Sequence, residues 1–512
     1  MQNPPISSDS QDSGWSSKLF EAQSLKRLDE LTASERHLSG FSLMQEAATA
    51  LLRHVQQHWP GMSHLSIVAG AGNNGGDGVA LARLALEAGF RVQLILSDEP
   101  NAWQQSLKGE AAEAWQWLQS SSFSALTIGG FSETLAVEGD LLIDALLGIG
   151  IQGAPRASAA AIIRWMNSSQ VPVLAVDVPS GVNADTGHVV GEAVIAARTL
   201  SFIAMKPGLL TGTGVAHAGV VSLADLGAAT INSSRHAGVK PQGRVFAPFA
   251  PYLPHRSADS HKGQFGHVLV VGGNLGMAGA ALLSARAALR SGAGLVSVVT
   301  RETHVPAFIT AQPELMVKGV RNGLEAIDWM TRCDVILIGP GLGQDAWAEQ
   351  LLQQALAAKK PLVIDADALT LLKQRGWQPQ TPWVMTPHPG EAARLLDVAN
   401  RDIQADRLFH AKALQQQYHA VVVLKGKGSW VVDKSELPRL VTTGNPGMSA
   451  PGMGDALAGV IAALMGQGFS GFEAASLGAY LHGVAGDEAS KGGQRGMVTS
   501  DLIEQLRPLV NA

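Results

Sequence analysis

GNPGMSAPGMGDALAGVIAAL, residues 444–464, runs a glycine-rich loop into Asp455 and then into an apolar, alanine-rich stretch that reads as a buried helix. The start of such a helix offers unpaired N–H groups and a positive dipole end, so Gly454 and its neighbours suit an anion. A carboxylate there would compete with an anion that stayed in place. It makes sense where the anion is being transferred. In phosphoryl transfer an aspartate orients the attacking hydroxyl and takes its proton, while loop amides such as those of residues 452–454 stabilise the phosphoryl oxygens. The same amides are expected to lower the pKa of Asp455 and keep it ionised. An N-cap role for Asp455 is also physically sound, and the two roles are compatible.

Other chemistry-bearing residues of the second half follow apolar strands. KGKGSW (425–430) puts Lys425, Gly426, Lys427, Gly428 and Ser429 where a nucleotide's phosphates or ribose would lie; a plain hairpin turn is the alternative. GPGLG (339–343) and TPHPGE (386–391) follow strands at the same sheet edge, and His388 in its proline-flanked turn is read as a ligand contact rather than a packing residue.

The first half repeats the theme. After LSIVAG comes AGNNGGDG (71–78), where four glycines let backbone approach a ligand and Asn73, Asn74 and Asp77 add side-chain oxygens. LLIDALLGIGIQGAP (141–155) and VLAVDVPSGVNADTG (173–187) place Asp144 and Asp177 at apolar strand ends, a costly position unless a cation or donors satisfy them. Amide and hydroxyl oxygens plus one carboxylate make a weakly charged cage that fits a monovalent cation better than magnesium. The second carboxylate is then free for proton transfer. Lys206, after a strand end, is placed either to reach a phosphate or as a surface lysine beside a turn.

The elements that must hold these residues are β-branched runs alternating with helical stretches along the whole chain, which means mostly parallel α/β sheets covered on both faces. Strands are expected at 65–70, 92–96, 141–146, 173–178 and 199–203, and again at 267–273, 295–300, 335–341, 362–367, 383–387 and 421–426. Helices are expected at 78–89, 109–119 and 277–294. The 512 residues exceed one ordinary core. The polar, unpatterned stretch 232–244 marks a seam. This gives a polar tail at 1–19, a domain at 20–228, a linker at 229–244 and a second domain at 245–510. Apolar residues are 46% and charged ones 16%, against about 25% in typical soluble domains, which suits large cores and a homo-oligomeric interface. Net charge is −5 with no basic block, so nucleic acid is not expected as a partner. No run of 18 apolar residues and no secretion signal is present, and the one cysteine, Cys333, fits a reducing cytoplasm.

GAGNNGGDG, DALLGIG, DVPSGVNADTG and FIAMKPG (202–208) resemble the NAD(P)H-hydrate epimerase family across nearly the whole first half. The resemblance implies a three-layer Rossmann-like domain that interconverts the R and S epimers of hydrated NADH or NADPH. Carried over by position, Asn73, Asn74, Gly75, Gly76 and Asp77 bind the hydrate, together with Gly148, Ile149, Gly150, Ile151, Gln152, Gly153 and Ala154. Asn74, Asp144 and Ser180 would hold potassium, and Asp177 would touch the nicotinamide end as acid or base. The second half, about 245–510, resembles the ribokinase-like fold and within it the NAD(P)H-hydrate dehydratase family, through GxxxGMAGAA, GPGLG, VIDADAL, TPHPGE, KGKGS and NPGMSAPGMGD. Where sugar kinases usually carry Asn-x-x-Glu, this chain has His388-Pro-Gly-Glu391, which fits the dehydratase branch. The resemblance implies Gly279, Ala280, Gly341 or Gly343, and His388 at the hydrate, Lys425–Ser429 and Gly454 at the nucleotide, and Asp455 as base. It also implies ADP with magnesium as co-substrate, as in bacterial members. A small-molecule kinase with a regulatory first half, and a nucleotide sensor without catalysis, are the competing readings.

Overall fold

A computed structural model describes residues 14–231, 238–250 and 252–512. The tail before Gly14 and residues 232–237 of the expected linker lie outside the described residues. The chain divides between Arg244 and Val245 into two compact units. From Trp15 onward the first unit is already packed: Trp15, Leu19 and Phe20 are buried, so the polar tail expected over 1–19 ends earlier than its composition suggests. A short antiparallel pair, β1 (Lys18–Leu19) with the start of β9 (Gly243–Val245), joins the two ends of this unit.

The first unit is built on seven parallel strands: β2 (His64–Ala69), β3 (Arg91–Leu96), β4 (Leu126–Gly130), β5 (Leu141–Ala145), β6 (Val173–Val176), β7 (Arg198–Phe202) and β8 (Val220–Ala224). Their spatial order is β4-β3-β2-β5-β6-β7-β8. Side chains alternate between faces along a strand, and the core divides accordingly. Leu65, Ile67, Leu141 and Ile143 join one apolar cluster, while Val68 and Leu142 join another on the opposite face. Chain direction reverses across the sheet between β2 and β5, and the crevice beyond the strand ends at such a point is where open α/β sheets bind ligands.

The second unit follows the same logic. Parallel strands β10 (His267–Val271), β11 (Leu295–Thr300), β12 (Met316–Gly319), β13 (Val335–Ile338), β14 (Leu362–Ile364), β15 (Trp383–Met385) and β16 (Val421–Leu424) are extended by antiparallel β17 (Ser429–Val432) and β18 (Arg439–Val441). The order is β12-β11-β10-β13-β14-β15-β16-β17-β18, with the reversal between β10 and β13. Every expected strand is present. Those not expected include β4, β8 and β12, which are half-exposed and so lack the continuous apolar run that marks a central strand.

Helix Met453–Gly466 packs on helix Ala278–Arg290 so closely that Gly459 leaves no room for a methyl group. A Cβ there would lie 2.2 Å from the Ser284 carbonyl oxygen. Gly459→Ala is therefore expected to cost about 1–3 kcal/mol. The check is chemical denaturation, with the loss confined to the transition of the second unit.

Candidate functional site

In the first unit, NNGGDG is not a loop but the opening of helix Asn73–Glu87. No side chain caps that helix, so the N–H groups of Asn73, Asn74 and Gly75 form its open first turn. The glycines serve packing more than ligand approach. A Cβ at Gly75 would meet the Gly70 oxygen at 1.7 Å, one at Gly76 the Met44 side chain at 2.7 Å, and one at Gly78 the Ala145 methyl at 2.6 Å. Gly72 alone of the four faces open space.

These residues border a cleft of about 1380 Å³, larger than the ~300–1,000 Å³ of ordinary small-ligand sites and so suited to an extended ligand. Asn73, Asn74 and Asp77 line it, as does the whole segment from Gly148 to Ala154, and Asp177. Gly75 and Gly76 do not, their Cα atoms being turned into the protein.

Asp144, Ser180 and Asn74 gather around Leu146 and Leu147. Asp144 is fully buried and accepts from the Ser180 hydroxyl at 2.6 Å, the Ser180 N–H at 2.8 Å and the Leu146 N–H at 3.3 Å. Ser180 Oγ in turn accepts the Leu147 N–H at 2.8 Å, and Asn74 Nδ2 donates to the Leu147 carbonyl at 2.9 Å. Burial nevertheless pushes the Asp144 carboxyl up to about 6, so its hydrogen bonds do not fully offset desolvation. An incompletely compensated carboxylate beside amide and carbonyl oxygens fits a monovalent cation.

Lys206 is neither a phosphate ligand nor a surface residue. It is buried, and its ammonium donates to Asp177 Oδ1, to Ser201 Oγ at 3.0 Å and to the Phe202 carbonyl at 2.7 Å, which uses all three of its protons. Asp177 has φ of 65°, a left-handed conformation, and its Oδ1 also accepts the Phe202 N–H at 2.9 Å. The cleft contains Asp29 as well, on helix Ala22–Glu35, a residue no motif announces.

In the second unit the loops after β10 and β13 close on each other. Asn274 N–H donates to Gly341 at 2.7 Å, Asn274 Nδ2 to Leu342 at 3.0 Å, and Gly343 N–H to Asp367 at 2.9 Å. Gly341 (φ 56°) and Gly343 (φ 74°) would each drive a Cβ into the 274–277 loop, at 2.6 Å from the Met277 oxygen and 2.7 Å from Asn274 Nδ2. Gly279, in the first turn of helix Ala278–Arg290, faces open space, and Ala280 N–H returns to Met277.

KGKGS is a hairpin loop, since β16 and β17 pair antiparallel. It also delivers a cation. Lys425 Nζ lies 2.9 Å from Asp365 Oδ1 and 3.9 Å from Glu391 Oε2. A Cβ on Gly454 would sit 3.0 Å from that ammonium, so Lys425 abuts the start of the Asp455 helix. Ser429 Oγ bonds within the loop to Gly426, and Lys427 Nζ donates to the Gly444 carbonyl at 2.9 Å.

The expected lowering of the Asp455 pKa is overturned. Burial first, then the nearby Asp365 charge, outweigh Lys425 and push the carboxyl up to about 7, with Asp367 and Glu391 adding to the effect. The helix amides are real, since no side chain caps Met453–Gly466, but a carboxylate facing three others cannot be held low by partial charges alone. His388 is itself an N-cap: its Nδ1 accepts the N–H groups of Gly390 (3.0 Å) and Glu391 (3.4 Å), while Glu391 Oε2 accepts the His388 N–H at 2.8 Å. Burial, then Lys425 and Arg394, lower its pKa, so the ring is neutral with its proton on Nε2. His388 thus offers a donor whose direction the cap has set.

Asp365, Asp367 and Glu391 carry no assigned role in the sequence reading. Asp365 had a signal, since it ends an apolar strand as Asp144 and Asp177 do.

A family model described as NAD(P)H-hydrate dehydratase matches residues 268–508, and one described as YjeF-related protein N-terminus matches residues 40–208. The bifunctional NAD(P)H-hydrate repair enzyme Nnr of Coxiella burnetii is 40% identical over 496 residues, covering 96% of this chain and 99% of its own. Its namesake in Escherichia coli K12 is 39% identical over 500 residues, covering 96% and 94%. Among solved structures, an ADP/ATP-dependent NAD(P)H-hydrate dehydratase from Bacillus subtilis, co-crystallised with ATP/Mg2+, is 30% identical. It spans 50% of this chain and 93% of its own, with a TM-score of 0.46. Fold and sites define a fused two-site α/β enzyme. The chain belongs to the family of bifunctional NAD(P)H-hydrate repair enzymes. No helix among the described residues is long and apolar enough to cross a membrane.

Removing Lys425 strands Asp365, which is 1% exposed. Lys425→Met is expected to destabilise the second unit by about 3–5 kcal/mol and to abolish nucleotide binding. Denaturation and calorimetric titration with nucleotide check both; unchanged affinity would remove Lys425 from the site.

Proposed function

We propose that the first unit interconverts the R and S hydrates of NADH and NADPH, and that the second converts the S hydrate back to the reduced coenzyme at the expense of ADP. In the second unit Asp455 takes the proton of the ring hydroxyl as that oxygen attacks the terminal phosphoryl group, giving AMP and a phosphorylated hydrate. Loss of phosphate and of the proton on the adjacent carbon then restores the double bond. The first-turn amides from Met453 to Asp455 and the Lys425 ammonium neutralise charge on the moving group. His388 Nε2–H donates to the hydrate, with Gly279, Ala280 and the 341–343 turn beneath it. Residues 425–429 hold the nucleotide, and magnesium arrives on its phosphates as part of the co-substrate.

One observation carries this reading: Asp455 stands in an uncapped helix turn, beside a part-buried lysine, with a pKa at the working pH of a general base. The sign of its pH dependence follows. The base accepts only when unprotonated, so activity is expected to fall about tenfold per unit as pH drops below about 7. Asp455→Asn should lose about 10²–10⁴-fold in dehydration and lose that limb, while nucleotide still binds. Recovery of the reduced-nicotinamide absorbance from pure S hydrate, with ADP and ATP in parallel, measures all of this. A variant with near-normal turnover removes Asp455 from the role, and faster recovery with ATP reverses the nucleotide assignment.

In the first unit, Asn74, Asp144 and Ser180 would hold a potassium ion, which supplies a fixed positive charge beneath the 147–154 segment. Asp177 is the acid–base group at the nicotinamide end. Exchanging potassium for lithium is expected to slow epimer exchange and leave dehydration unaltered, as followed by chiral separation of the hydrates. Equal rates with both cations would overturn the potassium assignment.

A further inference from the structure

Water adds to the reduced nicotinamide ring at the carbon beside the ring nitrogen, because the nitrogen lone pair stabilises the cation formed there. The hydroxyl-bearing carbon of the hydrate is therefore a hemiaminal. Inverting it requires breaking the C–O bond on one face and making one on the other. Hydroxide is a poor leaving group, so departure needs an acid; the incoming water needs a base. One site must supply two proton-transfer groups in opposite protonation states.

The cleft of the first unit holds two carboxyl groups in different surroundings. Asp177 is ion-paired with Lys206 and hydrogen-bonded by the Phe202 N–H, both on Oδ1, which leaves Oδ2 without a partner among the described residues. Asp77 lines the same cleft from the second turn of helix Asn73–Glu87, and no hydrogen bond is made to its carboxyl among the described residues. Burial, then the charges of Asp177 and Asp29, push Asp77 well above the usual carboxylate range despite Lys206, which favours its protonated form. Asp29 is pushed up to about 6, again by burial first. Other ionisable groups on the cleft wall are Lys26, Glu30, Asp98, Glu110 and Arg156.

We propose that Asp77 is the acid and Asp177 the base of epimerisation, which runs through loss and re-addition of water. Asp77 protonates the departing hydroxyl, the ring nitrogen lone pair expels water, and an iminium forms. A second water then attacks the opposite face of that carbon and gives its proton to Asp177. One water leaves and one enters, with no change of oxidation state. Proton return from Asp177 to Asp77 through solvent resets the pair, and Lys206 is a positioning residue that keeps Asp177 Oδ2 presented. This inference rests on the epimerase reading of the first unit.

The test supplies the full-length enzyme with pure R hydrate of NADH in ¹⁸O-labelled water and follows both epimer and oxygen by chiral separation and mass spectrometry. One solvent oxygen is expected in every S molecule formed. Asp77→Asn should slow exchange by about 10²–10⁴-fold, abolish the high-pH decline of the wild type, and still bind the hydrate; Asp77→Glu should restore part of the rate. Epimer exchange that retains the original oxygen overturns the water-loss route. An Asp77→Asn variant with wild-type rate and pH profile overturns the acid assignment, as does loss of hydrate binding in both Asp77 variants, which would make the residue structural. Absence of any epimer exchange by the wild type is a different result: it fails the epimerase reading itself.

Discussion

A lysine wholly or largely buried among more carboxylates than it can neutralise is the arrangement on which both units depend. Lys206 faces Asp177, with Asp77 and Asp29 within range of its charge. Lys425 faces Asp365 and Glu391, with Asp455 beside them. Neither ammonium could be buried alone, and neither group of acids could be fully ionised without it. The surplus leaves carboxyls in each unit with raised pKa values, among them Asp77 and Asp29 in the first and Asp455 and Glu391 in the second. Functional sites are where such perturbations concentrate. Here the physical cause is the same twice: burial first, then like charge.

Backbone geometry at the strand ends supports these clusters. Asp177 (φ 65°), Ile203 (φ 64°) and Ala366 (φ 49°) all take left-handed conformations immediately beside the charged groups. For a β-branched residue such as Ile203 that is strained. It follows Phe202, whose N–H and carbonyl bind Asp177 and Lys206 respectively. The strain is held in place by burial of Ile203 and its N–H bond to Ala224. In both units the site occupies the reversal point of a parallel sheet, where helix N-termini and strand ends meet.

The two activities have a common logic. Hydration of the nicotinamide ring yields two epimers, and a dehydratase that accepts one would strand the other. Epimerisation as proposed breaks and remakes one C–O bond with no net group transfer, and a cleft with an acid and an ion-paired base suffices. Dehydration needs a leaving group better than hydroxide, and a nucleotide supplies it. That difference explains why only the second unit pairs its raised carboxyl with a loop carrying Lys425 and Lys427.

The strands, the two α/β units and the placing of most candidate residues at strand ends were legible in the sequence because each depends on local patterning. Apolar runs of four to six residues, turn chemistry and an Asp at an apolar strand end need no knowledge of distant contacts. Half-exposed edge strands such as β4 and β12 were not legible, because an edge need not be apolar on both faces. Asp29 had no motif. Lys206 was assigned to the wrong environment, since its three acceptors come from Asp177, Ser201 and Phe202, and only the fold brings Asp177 to it. The glycines of NNGGDG were legible as a need for small residues, but whether they faced ligand or protein depended on where residues 44, 70 and 145 came to lie. The protonation of Asp455 was likewise beyond local reading. Helix amides next to it in sequence lower its pKa, while Asp365 and Glu391, 90 and 64 residues away in sequence, act with burial to raise it. Sequence alone thus determined which elements form and which residues reach the sheet edges, through short-range periodicity. Tertiary structure decided which charges share a buried space, because electrostatic energy depends on distance and desolvation rather than on position along the chain.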